Sequence, residues 1–174
     1  MVLTIIHLAG IPEVRPGDNV ARMIVEAANE ASGIETGDVF VVTQKIVSKA
    51  EGRVLSLDTV TPSLAAERLA AETEKDPRLV ELILRESRGV VRQRGPILIT
   101  ETKHGLICAN AGIDASNVGP EGIVCLLPED PDASARNIRD AIGAATGADV
   151  AVIISDSFGR PWREGHTNVA IGVA

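Results

Sequence analysis

The sequence predicts an α+β fold. Three observations carry that expectation. Short runs rich in β-branched residues, such as Asp38-Val-Phe-Val-Val-Thr43 and Val150-Ala-Val-Ile-Ile154, read as buried strands. Amphipathic stretches that open on capping residues read as helices. The two arms Ile97-Leu-Ile-Thr100 and Leu106-Ile-Cys-Ala109, joined through Lys103-His-Gly105, read as a hairpin. A hairpin beside strand–helix alternation favours α+β over a doubly wound parallel sheet.

The elements follow in order. Residues 2–8 are apolar and strand-like, and Arg15-Pro-Gly-Asp18 is a turn. Asp18 is placed to cap a helix over about 19–32, with Val20, Met23, Ile24, Ala27, Ala28 and Ala31 on one face. Gly33 closes it. The strand at 38–43 leads into a polar, glycine-bearing segment, 44–53. Thr61-Pro62-Ser63 opens a second helix and Asp76-Pro77 a third, since proline suits a first turn. Residues 90–110 form the hairpin, 110–120 a polar glycine loop and 123–127 a strand. Asp132 caps a helix to about 146, closed by Gly147. The strand at 150–154 runs into the polar segment 155–163, and Val169-Ala-Ile-Gly-Val173 reads as a last strand.

Composition narrows the function. The 174 residues suit one ordinary domain or two small ones, and 45% hydrophobic residues supply a core. A net charge of −7 argues against a nucleic-acid binder. The three aromatics, Phe40, Phe158 and Trp162, could not build a stacking platform for single strands. The N-terminal apolar run lacks a basic leader and a cleavage site, and no run approaches a membrane span. Cys108 and Cys125 lie in apolar runs and read as buried thiols, which makes the cytoplasm the expected compartment.

Three polar segments each follow a strand, where a rigid element can display reactive side chains. The first carries Lys45, Lys49 and Arg53. The second is Asn110-Ala-Gly-Ile-Asp-Ala-Ser-Asn117, and the third Ser155-Asp-Ser-Phe-Gly-Arg-Pro-Trp-Arg163. Asp114 stands beside Ser116 and Asn117, and Asp156 beside Ser155 and Ser157. Such hard oxygen donors suit Mg²⁺ or Mn²⁺, and the basic residues could neutralise a polyphosphate. Plainer roles stay open: each aspartate as a turn or helix cap, the three cations as a solvated edge, Trp162 as packing. His7 and His104 read as a strand and a turn residue; His166 is ambiguous. There is no P-loop, no dinucleotide fingerprint and no zinc spacing.

Four motifs in sequence carry a resemblance: Val47-Ser-Lys-Ala-Glu-Gly-Arg53, Asn110-Ala-Gly-Ile-Asp-Ala-Ser-Asn-Val118, Leu127-Pro-Glu-Asp-Pro-Asp-Ala-Ser134 and Val152-Ile-Ile-Ser-Asp-Ser-Phe-Gly-Arg-Pro-Trp-Arg163. The chain resembles the coenzyme F-420-0:L-glutamate ligases, or gamma-glutamyl ligases, over essentially its whole length. The resemblance implies an α+β enzyme that forms an intertwined homodimer. It implies that L-glutamate is joined to the deazaflavin coenzyme precursor with GTP and divalent metal, through an acyl phosphate; a monovalent cation is a further candidate cofactor. By motif position Asp114, Asp156 and the hydroxyl of Ser157 are metal ligands; the family often has Thr where this chain has Ser157. Asn117 touches the nucleotide and Lys49 its phosphates, as the catalytic cation. Ile11, Pro12, Glu13 and Val14, with Gln44 and Lys45, match nucleotide-contacting positions, mostly through the backbone. Family chains continue beyond the last residues present here. The expectation is therefore one ligase-like domain over 1–174, truncated at its C-terminal end. A non-catalytic dimerisation or coenzyme-binding module and a metal-dependent phosphohydrolase are the competing expectations.

Overall fold

A computed structural model describes residues 2–115, 121–159 and 165–174. Five helices and eight strands are assigned among these residues. They run α1 (Val20–Ala31), β1 (Val39–Thr43), α2 (Gln44–Ala50), β2 (Val54–Ser56), α3 (Leu64–Thr73), α4 (Pro77–Arg85), β3 (Ser87–Arg94), β4 (Ile97–Thr102), β5 (Ile107–Ala109), β6 (Ile123–Cys125), α5 (Pro131–Thr146), β7 (Ala151–Gly159) and β8 (His166–Val173). The fold is α+β, as expected. The chain divides into two compact units. One comprises 1–52, 128–155 and 170–174; the other comprises 53–127 and 156–169.

The first unit is built on the sheet order β1-β7-β8, with β1 and β7 parallel and Val39 opposite Ala151. Its core joins Ile24 of α1, Val42, Val47, Ile138 and Ile142 of α5, and Val152 and Ile154. α1 is capped by Asn19, whose side chain accepts the Arg22 N–H at 2.9 Å, and not by Asp18. Asp18 instead accepts the Arg15 N–H at 2.7 Å and closes the preceding turn. The same shift recurs at α5. Asp130 is its cap, accepting from Ala133 N–H, while Asp132 accepts the Val173 N–H at 2.9 Å. In both places an acid near a helix start had another N–H to satisfy.

Three further expectations are corrected. Residues 2–8 form no strand; Val2, Leu3 and Ile5 are 91%, 82% and 88% exposed. A strand needs a ladder partner, and no described strand supplies one. The 44–50 stretch is the helix α2, because its glycine comes only at Gly52 and Val47 and Ser48 turn inward. β7 continues past Ile154 to Gly159, beside β8, so Asp156 and Ser157 sit in a strand and not in a loop.

The second unit holds the antiparallel sheet β3-β4-β5 and the pair β2-β6. The predicted hairpin is β4-β5. β3 escapes a hydrophobicity reading because Ser87-Arg-Gly-Val-Val-Arg-Gln-Arg94 is a charged edge strand, the kind that resists further pairing. Leu57, Leu82, Ile83, Leu98, Ile113 and Val124 fill this core. α3 and α4 are joined by a shared acid: Glu81 of α4 accepts the Ser63 N–H at 2.9 Å, at the cap of α3, and the Arg85 Nε–H at 2.8 Å. The bonds from Ser63, then Arg85, hold its carboxyl down at about 2. A depressed carboxyl stabilises the fold above its unfolded value of 4.5 and loses that contribution as pH falls toward about 2. Glu81→Gln should therefore cost on the order of 2 kcal/mol at pH 7. The difference from the parent should vanish near pH 2, read by urea unfolding at the two pH values.

Candidate functional site

In the first unit the structure brings two of the sequence-selected residues together. Glu13 lies in an irregular segment between a half-buried Ile11 and a buried Val14, with Pro12 exposed. The ammonium of Lys49, in the last turn of α2, bonds Glu13 Oε1 at 2.5 Å. Lys49 is 14% exposed and Glu13 74%. That bond and the Lys49 charge hold the Glu13 carboxyl below its ordinary range. Gln44 opens α2, is buried, and donates to Ser48 Oγ at 2.6 Å; Lys45 follows it, half-buried. Because Glu13 is so exposed, its ion pair with Lys49 is worth little.

The second unit holds the oxygen donors. Asp114 forms an isolated bridge with Cys125: its N–H donates to Cys125 O at 3.0 Å, and the Cys125 N–H returns the bond at 2.8 Å. The residues leading into it are conformationally unusual. Asn110, Ala111 and Gly112 have φ of 52°, 55° and 71°. Left-handed backbone is costly for Ala111, which is buried and tied by its N–H to Thr100 Oγ1 at 3.1 Å. Strain of this kind clusters where a fold must aim a group. Asp156 is half-buried, and Ser157, exposed, donates its hydroxyl proton to Asn168 Oδ1 at 2.7 Å. Successive strand residues face opposite ways, so Asp156 and Ser157 are separate donors and not a chelating pair. Burial first, and the charge of Asp156 second, push the Cys108 thiol up to about 11. Asn117, like Ser116, Arg160, Trp162 and Arg163, lies outside the described residues.

The sequence matches the family model described as F420-0:Gamma-glutamyl ligase over residues 10–174. The chain belongs to that family. It is 51% identical over 162 residues to a coenzyme F420:L-glutamate ligase of Methanopyrus kandleri, covering 93% of this chain and 62% of the relative. It is 47% identical over 175 residues to the protein of that name from Methanothermobacter thermautotrophicus, covering 100% and 69%. With the Methanocaldococcus jannaschii protein, also so named, the identity is 48% over 141 residues, covering 81% and 56%. The chain thus spans about 56–69% of the length of these relatives.

For a gamma-glutamyl ligase family chain, the donors can be tested against a divalent ion. Among the described residues no three His, Cys, Asp or Glu side chains gather as a ready cage. Mg²⁺ does not need one: it keeps waters and is held by one or two carboxylates plus substrate phosphates. The donor set of Asp114, Asp156 and Ser157 is all oxygen. Ser157 donates its hydroxyl proton in the bond to Asn168, which leaves its oxygen lone pairs to accept or ligate. Asn110 Oδ1, four residues before Asp114, is a further buried oxygen with no partner among the described residues. In donor type these oxygens suit a hard cation.

Asn168 and Cys108 were invisible in the sequence as neighbours of the site. Asn168 meets Ser157 only through the β7–β8 pairing, and Cys108 meets Asp156 only through the fold. Asn110 had a signal, since it opens the second motif. No helix among the described residues is long and apolar enough to cross a membrane.

Proposed function

We propose that the chain is the catalytic part of a GTP-dependent ligase that forms an amide between L-glutamate and the deazaflavin coenzyme F-420-0. The observation that carries this reading is the family match across residues 10–174, a stretch that contains every donor and cation named above. In the first step a carboxylate oxygen of the coenzyme attacks the γ-phosphorus of GTP. The bond to the bridging oxygen breaks and GDP leaves. In the second the glutamate amine attacks the acyl carbon. A C–N bond forms, the amine gives up a proton, and inorganic phosphate departs.

Within this scheme Asp114, Asp156 and Ser157 would be ligands to Mg²⁺ or Mn²⁺, Asp156 and Ser157 serving separately, and a bound divalent ion would neutralise charge building on the transferred phosphoryl group. Lys49 exchanges Glu13 for a phosphate oxygen and supplies a further cation. The backbone of 11–14 and of Gln44-Lys45, with Asn117, takes the rest of the nucleotide. A monovalent cation is a further candidate. No enzyme nucleophile is required, because GTP itself activates the carboxylate. Cys108 and Cys125, buried and not joined in a disulfide, support a reducing compartment such as the cytoplasm. Exposed Val2, Leu3 and Ile5 support a homodimer that covers them.

Lys49→Ala should raise the KM for GTP about tenfold or more, since it removes a charge-assisted contact. Steady-state kinetics with GTP varied check this; an unchanged KM removes Lys49 from the nucleotide. The reading as a whole is tested by incubating the protein with GTP, Mn²⁺, L-glutamate and the unglutamylated coenzyme, and following both phosphate and coenzyme mass. Glutamate-dependent mass gain with stoichiometric phosphate is the expected result. Phosphate without mass gain would make the protein a hydrolase, and neither signal a non-catalytic module.

A further inference from the structure

Arg53 closes the Val47–Arg53 motif, and the sequence alone makes it a candidate for binding phosphate. Its surroundings argue otherwise. Its Nε–H donates to the Leu127 carbonyl at 2.9 Å and its Nη2–H to Glu86 Oε2 at 2.7 Å. The two side chains are 17% and 14% exposed. Lys103 approaches the other oxygen of Glu86 at 3.3 Å, and the Lys103 N–H donates to the Glu86 carbonyl at 3.0 Å. A phosphate recruited to Arg53 would have to evict a shielded carboxylate, which is far more costly than displacing the exposed Glu13 from Lys49.

The segment that Arg53 grips is the one that holds Asp114. The Arg53 carbonyl accepts the Leu126 N–H at 2.9 Å, and its guanidinium takes the next carbonyl, that of Leu127. Cys125, immediately before, exchanges both main-chain bonds with Asp114. The Leu127 side chain presses on Gly112: a Cβ there would lie 2.8 Å from Leu127 Cδ1. Gly112 is two residues from Asp114, in the left-handed run. Asp114 is thus held before it through Gly112 and Leu127, and at its own backbone through Cys125. Residues 125–127 are in turn pinned by Arg53 and Glu86.

We infer that Arg53, with Glu86, is a positioning residue that fixes the Asp114 carboxylate for the divalent ion, and that it does not touch the nucleotide. The inference rests on the metal site proposed above. Mn²⁺ titrations of the full chain without nucleotide, read by electron paramagnetic resonance of free Mn²⁺, test it alongside GTP binding without metal. Arg53→Lys keeps the charge and loses the planar fork. Per folded molecule, it should bind Mn²⁺ about tenfold more weakly and GTP within twofold of the parent. Glu86→Gln, nearly isosteric, should weaken Mn²⁺ binding in the same direction, and it decides the matter if Arg53→Lys fails to fold. Lower thermal stability with parental Mn²⁺ affinity would overturn the inference and leave a merely structural pair. Weaker metal-free GTP binding with parental Mn²⁺ affinity would make Arg53 a phosphate contact. Asp114→Asn is the reference: if it binds Mn²⁺ like the parent, the metal site itself is wrong, whatever Arg53 does.

Discussion

Asp114→Asn is expected to lower ligase turnover at least about a hundredfold at ordinary metal concentration, with the fold intact. The size follows from the charge removed. A carboxylate that anchors a divalent ion supports several kcal/mol of transition-state stabilisation, and each 1.36 kcal/mol is roughly tenfold in rate. An amide has the same shape but no charge. The backbone should not notice the change, because Asp114 is held by main-chain bonds to Cys125 and not by its carboxylate alone. Asp156→Asn should lose activity similarly. Activity measured from low to high Mn²⁺ checks both. Partial recovery at high metal fits a weakened ligand, whereas normal turnover at ordinary metal would take the residue out of the site.

The largest effect on stability is expected at Gly172. A Cβ there would lie 2.3 Å from the Pro131 carbonyl oxygen and 2.4 Å from its carbon. Both are backbone atoms at the start of α5, so no side chain can rotate away. β8 would have to withdraw from α5, breaking the Val173 N–H bond to Asp132. Overpacking against backbone costs on the order of 3 kcal/mol. For a chain of this size that lowers Tm by roughly 6–12 °C. Thermal unfolding of Gly172→Ala followed by circular dichroism measures it. A Tm within about a degree of the parent would show that the close approach of β8 to α5 is not as drawn.

The elements that were legible in the sequence were those whose signal is local. The Asp76-Pro77 start of α4, the Gly33 and Gly147 stops, and the β4-β5 hairpin all rest on residues within a turn of one another. What escaped depended on partners far along the chain. β3 is charged and becomes a strand only because β4 lies beside it. Residues 2–8 look like a strand, yet find no ladder. Asp18 and Asp132 both resemble caps, and each is spent on another N–H, one of them 41 residues away. The candidate site divides the same way. Asp114, Asp156 and Lys49 stood out as chemistry-bearing residues in motifs. The Asn168 bond to Ser157, the left-handed run before Asp114 and the commitment of Arg53 to Glu86 are tertiary facts that no spacing reveals.

The central claim is that GTP activates the coenzyme's own carboxylate before glutamate arrives. The direct measurement uses coenzyme F-420-0 labelled with oxygen-18 in that carboxylate, incubated with GTP, Mn²⁺ and L-glutamate. The account predicts one labelled oxygen in each released phosphate, in step with amide formation. Amide formation with unlabelled phosphate would contradict it, because the carboxylate oxygen would then never have been bonded to phosphorus.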